Sequence, residues 1–147
     1  MYEFLDYLVE DVMTSEVTTT TPDAPLSEVE AVFEANDFNS LPVLNAASQL
    51  VGVVTKLDLL NAFRFNEDHM FPPYADIMKK PVSEVMTRDP RTVTPRARLT
   101  GVLEKLVDSG SKSFPVLDGG ELVGVVSRED VLRGLKRAAA AKRPNEE

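Results

Sequence analysis

Leu50-Val51-Gly52-Val53-Val54-Thr55-Lys56-Leu57-Asp58 is the stretch that decides the fold, because it is written twice. It returns as Leu122-Val123-Gly124-Val125-Val126-Ser127-Arg128-Glu129-Asp130. Five apolar or glycine residues read as a buried strand. A hydroxyl followed three residues later by a carboxylate is the capping-box signature of a helix start. A strand that feeds a helix N-terminus gathers unpaired N–H groups at one spot, which suits an anion. The cap hydroxyl of Thr55 or Ser127 can donate to a phosphate oxygen. The carboxylate of Asp58 or Asp130 can accept from both hydroxyls of a ribose, and Lys56 or Arg128 can add a cation. The plainer alternative is that each pair only caps its helix.

Outward from this stretch, residues 9–47 align without gaps to 82–120, and 49–63 to 121–135, with 21 of 54 positions identical. Val12-Met13-Thr14 recurs as Val85-Met86-Thr87, and Pro42-Val43-Leu44 as Pro115-Val116-Leu117. Each repeat reads strand–helix–strand–strand–helix. Short β-branched stretches at Val17–Thr20 and Thr92–Val93 stop at Pro22 and Pro95. The helices then carry Leu26, Val29, Val32 and Phe33, or Leu99, Val102, Leu103 and Leu106, on one face. Asp118-Gly119-Gly120-Glu121 is a hairpin signal; Asn45–Gln49 is a weaker turn. The expected divisions are 1–63 (first repeat with a docked N-terminal helix), a linker 64–81, the second repeat 82–135, and a C-terminal helix and tail 136–147 that frays after Pro144.

Composition narrows the chemistry. There is no Cys, which removes disulfides, thiol nucleophiles and thiolate metal sites and fits a reducing compartment such as the cytoplasm. His69 is the one histidine and reads as an exposed linker residue, so no metal site is expected. No apolar run reaches the roughly 20 residues of a membrane span. The net charge of −8 argues against nucleic acid. The charge is uneven: residues 1–73 hold 13 acidic and 2 basic side chains, and residues 74–147 hold 11 and 14. Met13 and Met86 read as core fillers, and Phe71-Pro72-Pro73-Tyr74 as a packed linker.

The two motif sets, in the same order in both halves, resemble the cystathionine-β-synthase (CBS) domain, and the chain resembles a stand-alone tandem pair, or Bateman module. The resemblance covers 9–63 and 82–135. It implies an α/β fold of two βαββα CBS repeats packed with pseudo-twofold symmetry, and a regulatory, non-catalytic role. In the family, the cleft between repeats binds adenosine-containing ligands: AMP, ADP, ATP, NAD or S-adenosylmethionine. The first site would comprise Thr19, Thr21, Asn39, Ser40, Leu41, Pro42, Val53, Thr55, Lys56 and Asp58. The second would comprise Thr92, Lys112, Ser113, Phe114, Pro115, Val125, Ser127, Arg128 and Asp130. The family's Gly ahead of the Pro-Val strand is kept as Gly110, but the first repeat has Asp37 and then Phe38, which would reshape its pocket.

The resemblance further implies a homodimer built through the Leu59-Leu60-Ala62-Phe63 and Val131-Leu132-Leu135 helices, signalling by self-association or through a protein partner. The rivals are an enzyme using Asp58 and Asp130 as an acid–base pair, and a purely structural interaction module with vestigial pockets. Arg88, Arg91, Arg96, Arg98, Lys112 and Arg128 stand where the first repeat has Ser15, Thr18, Asp23, Pro25, Asn39 and Lys56. Charge therefore favours the second site for phosphate.

Overall fold

The computed structural model describes residues 2–64 and 73–141. His69, Phe71, Pro72 and Pro144 lie outside them. Two compact units form: a contiguous one, Thr18–Pro90, and a composite one that joins Met1–Val17 to Arg91–Glu147. The spatial units therefore differ from the sequence divisions 1–63 and 82–135. The opening segment of each repeat folds into the unit built mainly by the other.

In the contiguous unit, β1 (Ser40–Leu44) pairs antiparallel with β2 (Leu50–Thr55). The second edge of β2 takes β3 (Thr87–Arg88), with Val53 opposite Thr87. On the far edge of β1 the expected strand Val17–Thr20 contracts to one bridge, Thr20 against Val43, closed by Thr20 N–H to Pro42 O (3.0 Å) and Leu44 N–H to Thr20 O (2.9 Å). Pro22 cuts that strand short because it has no N–H to give. Helices α3 (Leu26–Ala35), α4 (Lys56–Asn61) and α5 (Tyr74–Met78) complete the unit. Leu26, Val29 and Phe33 meet Leu41, Val43 and Val54 in its core, and Val32 and Phe38 pack at the margin. Phe38 therefore belongs partly to the core.

In the composite unit, β4 (Ser113–Asp118) pairs with β5 (Glu121–Ser127). The turn is the expected one: Gly119 and Gly120 have φ of 60° and 87°, a conformation that glycine adopts without steric cost. Val93 bridges Val116 on one edge and Thr14 bridges Val125 on the other, so this sheet repeats the first with bridges for outer strands. Helices α1 (Tyr2–Asp6), α2 (Val9–Val12), α6 (Leu99–Ser109) and α7 (Arg128–Ala140) surround it. The N-terminal segment docks as a helix, as its apolar content predicts: Phe4 and Val9 are buried with Leu99, Phe114 and Val131. The Ala-rich tail is the continuation of α7 to Ala140 rather than a separate helix. Gly110, with φ of 70°, ends α6 in the left-handed conformation typical of a glycine after a helix.

The same splice fastens both units. Val9 N–H donates to Ala97 O, Glu10 N–H to Pro95 O, and Leu99 N–H to Tyr7 O, all at 2.9 Å. In the contiguous unit the equivalents are Val82 to Ala24 (2.9 Å), Ser83 to Pro22 (2.8 Å) and Leu26 to Lys80 (3.0 Å). The splice also corrects the charge picture. The contiguous unit holds 11 acidic and 5 basic side chains and the composite unit 13 and 11, so the steep contrast between sequence halves largely disappears.

Candidate functional site

Both capping boxes form as the spacing predicts. Thr55 Oγ1 accepts from Asp58 N–H (3.1 Å) while Asp58 Oδ2 accepts from Thr55 N–H (2.9 Å). Ser127 Oγ accepts from Asp130 N–H (3.1 Å), and Asp130 Oδ2 from Ser127 N–H (3.0 Å). The hydroxyl proton of each cap residue is not used in its box and remains a donor. Strand register brings further candidates beside the caps. Ser40 lies opposite Thr55 and Pro42 opposite Val53; Ser113 lies opposite Ser127 and Pro115 opposite Val125. Thr19 and Thr21 flank the Thr20 bridge, and Thr92 precedes the Val93 bridge. Asn39 and Lys112 directly precede β1 and β4.

Several side chains are not where a ligand would meet them. Leu41 and Phe114 are 1% and 2% exposed and belong to the two cores. Pro42 and Pro115 are buried as well. Strand alternation accounts for Leu41 and Phe114, which share the inward face with Val43 and Val116. The side chains of these four residues are therefore closed off from solvent. Val53 and Val125 are half-buried and retain an accessible face.

The expected cations are mostly committed elsewhere. Arg128 donates from Nε to Ser111 O (3.0 Å) and from NH2 to Gly110 O (2.7 Å), tying down the loop ahead of β4. Lys56 Nζ sits 5.9 Å from the Phe33 ring centre. Arg96 pairs with Asp118 at 3.8 Å, and Arg98 donates to Leu5 O at 3.3 Å. Arg88 lies in β3, beside Gly52, and donates to Ser83 O. It is part of the contiguous unit with Asp58, not of the unit that holds Asp130, so the charge argument for the second site loses a cation.

Three features escaped the sequence reading. Thr14 Oγ1 stands 3.3 and 3.4 Å from the two carboxylate oxygens of Asp130, and Thr87 Oγ1 stands 3.4 and 3.5 Å from those of Asp58. Each Val-Met-Thr motif thus serves the acid of the other repeat. The recurrence of the motif was the available signal, but recurrence alone does not name the partner. Arg133 donates to Asp130 Oδ1 and forms an ion pair with it, an i,i+3 contact along α7. Finally, Asp58 lines an open cavity of about 280 Å3 with Asn61, Ala62, Lys80, Glu84 and Val85. Among the described residues, no group of three His, Asp or Glu side chains is placed to hold a metal, and no helix is long and apolar enough to cross a membrane.

Comparison with known proteins agrees with this architecture. The sequence profile of the CBS domain matches residues 9–64 and 82–137. An uncharacterized 17.7 kDa protein of Acidianus ambivalens is 27% identical over 128 residues, which cover 86% of this chain and 72% of that one. The crystal structure of CBSX2 in complex with AMP superposes with a TM-score of 0.78 at 27% identity, over 90% of this chain and 98% of that one. Protein MJ1225 of Methanocaldococcus jannaschii superposes with a TM-score of 0.81 at 26% identity, over 91% of this chain and about half, 51%, of the other. With two matched domains over most of its length and the same mixed helix-and-sheet fold, the chain belongs to the CBS domain family.

Proposed function

We propose that this chain is a regulatory module that binds adenosine-containing ligands and catalyses no reaction of its own. The observation that carries the reading is the duplicated strand-end acid: Asp58 and Asp130, each held at a helix start beside a cap hydroxyl. The superposable CBSX2 structure holds AMP, which supports the same ligand class here. In this reading Asp58 and Asp130 accept the ribose hydroxyls, and Thr55 and Ser127 donate to phosphate. The backbone of 39–42 and 112–115 edges the base, while Val53 and Val125 pack against it. AMP, ADP, ATP, NAD and S-adenosylmethionine all present that adenosyl unit.

A thermal-shift screen with these five compounds tests the proposal. A ligand at 100 times its Kd adds about 2.7 kcal/mol of stability. Absence of a shift with all five overturns it and leaves the second reading, an interaction module with filled pockets. The complete engagement of Asp130 by Thr14, Ser127 and Arg133 is what favours that alternative.

The output would pass through self-association or a partner protein, in the cytoplasm. Of the residues expected to form a dimer face, Leu59, Ala62, Phe63 and Leu135 pack against the cores and Val131 is buried. Leu60 in the contiguous unit and Leu132 in the composite unit remain 68% and 64% exposed, and Leu57, not among the expected residues, is 73% exposed; these side chains would carry the homodimer contact. Sedimentation at micromolar concentration should give twice the 16.2 kDa chain mass; a monomer refutes the dimer.

A further inference from the structure

Asp58 and Asp130 occupy equivalent positions, and nearly every contact around them is matched. Each accepts from the N–H of its cap residue, and each stands within 3.5 Å of a threonine hydroxyl. The match ends one turn along the helix. Three residues past Asp130 stands Arg133, whose guanidinium pairs with Asp130 Oδ1. Three residues past Asp58 stands Asn61, and among the described residues Asp58 has no ion-pair partner. Asp58 instead borders the open cavity described above.

The difference bears on ligand chemistry. On Asp130, Oδ2 accepts from Ser127 N–H, Oδ1 accepts from Arg133, and the Thr14 hydroxyl approaches both. The Asp130 side chain is 2% exposed, while that of Arg133 is 66% exposed. A ribose diol reaching this carboxylate has to displace or share with the guanidinium. The sugar hydroxyl is a neutral donor, so its bond to the carboxylate is charged on one side only, whereas the bond it replaces joins two charged groups and carries their mutual attraction as well. At Asp58 no cation has to leave.

We propose that Arg133 is a built-in competitor for the ribose at Asp130 and sets the order of filling, with the Asp58 site occupied first. The proposal rests on the adenosyl reading above and reverses the order expected from counting cations in the sequence.

Calorimetric titration of AMP and of 2′,3′-dideoxy-AMP tests it on wild type, Asp58→Ala, Arg133→Asn and the reciprocal Asn61→Arg. Wild type should show a tighter and a weaker AMP event, the tighter one lost in Asp58→Ala. Arg133→Asn should tighten the weaker AMP event about tenfold, a change of about 1.4 kcal/mol, and leave the dideoxy analogue within twofold. Asn61→Arg should weaken the tighter event by a similar factor, and it carries the test if Arg133→Asn loses its cooperative melt. Weaker AMP binding in Arg133→Asn would mean that the guanidinium serves the phosphate, and overturns the proposal. So does AMP binding that is indifferent to both substitutions, a result that leaves the adenosyl reading standing. No AMP heat in any protein overturns the adenosyl reading and the competitor with it.

Discussion

Gly52 and Gly124 show how a single hydrogen atom can hold a distant motif in place. A Cβ on Gly52 would lie 2.7 Å from Thr87 O and 2.9 Å from Met86 Sδ. On Gly124 it would lie 2.8 Å from both Thr14 O and Met13 Sδ. The glycine in each Gly-Val-Val strand is thus the seat of the other repeat's Met-Thr. Gly52→Ala and Gly124→Ala should each cost about 1–3 kcal/mol, because a backbone carbonyl is among the atoms that must move. Gly101, on the exposed face of helix α6, has nothing within 4 Å of its Cβ position, and Gly101→Ala should gain about 0.5–1 kcal/mol. Urea midpoints of the three variants check this, and equal effects would refute it. Met13 and Met86 were legible as apolar fillers, and Gly52 and Gly124 as recurrent. Their pairing across 111 and 34 positions of sequence was not, because hydrophobic pattern fixes which face is buried and not which partner buries it.

The elements divide along the same line. Helix starts at Thr55 and Ser127, the β4–β5 turn and the inward faces of α3 and α6 were readable because each depends on residues within one or two turns of chain. The outer strands were overcalled, because whether Thr20 or Val93 extends a ladder depends on a neighbouring strand. Helix α5 was missed altogether inside the presumed linker. It is fastened by tertiary contacts: Ile77 and Met78 are buried, Tyr74 stacks on Phe63 with ring centres 5.6 Å apart, and the Tyr74 hydroxyl donates to Glu30 at 2.7 Å. That hydrogen bond, with smaller contributions from desolvation and from the charges of Glu30 and Glu34, raises the phenol above its usual pKa of 10.0. A raised phenol pKa means that the folded state favours the protonated form. The contribution is full below pH 10 and is lost as pH rises through the raised value. Tyr74→Phe should therefore flatten the loss of stability above pH 10, seen as a smaller fall of the urea midpoint than in wild type. An identical fall would show that the bond does not couple to folding.

For the whole molecule, the decisive fact is that one unit is continuous in sequence and the other is not. A fragment of residues 18–90 contains every member of its own core. A fragment of residues 91–147 lacks Phe4 and Val9 and the strand partner that Thr14 gives Val125. The first should show a cooperative melt by circular dichroism. The second should show one only when a peptide of residues 1–17 is added. A cooperative melt of 91–147 alone would refute the dependence.

That discontinuity also imposes a timetable on synthesis. Once Pro90 has left the ribosome the contiguous unit has all its parts and can close. Residues 2–17 are made before that unit, yet the strand and helices that bury Phe4 and Val9 appear only after residue 91. At ~5–20 residues per second, these side chains wait several seconds in water. A segment made before the contiguous unit thus finds its partners after it, and the interval is when a chaperone or a neighbouring nascent chain has access to it.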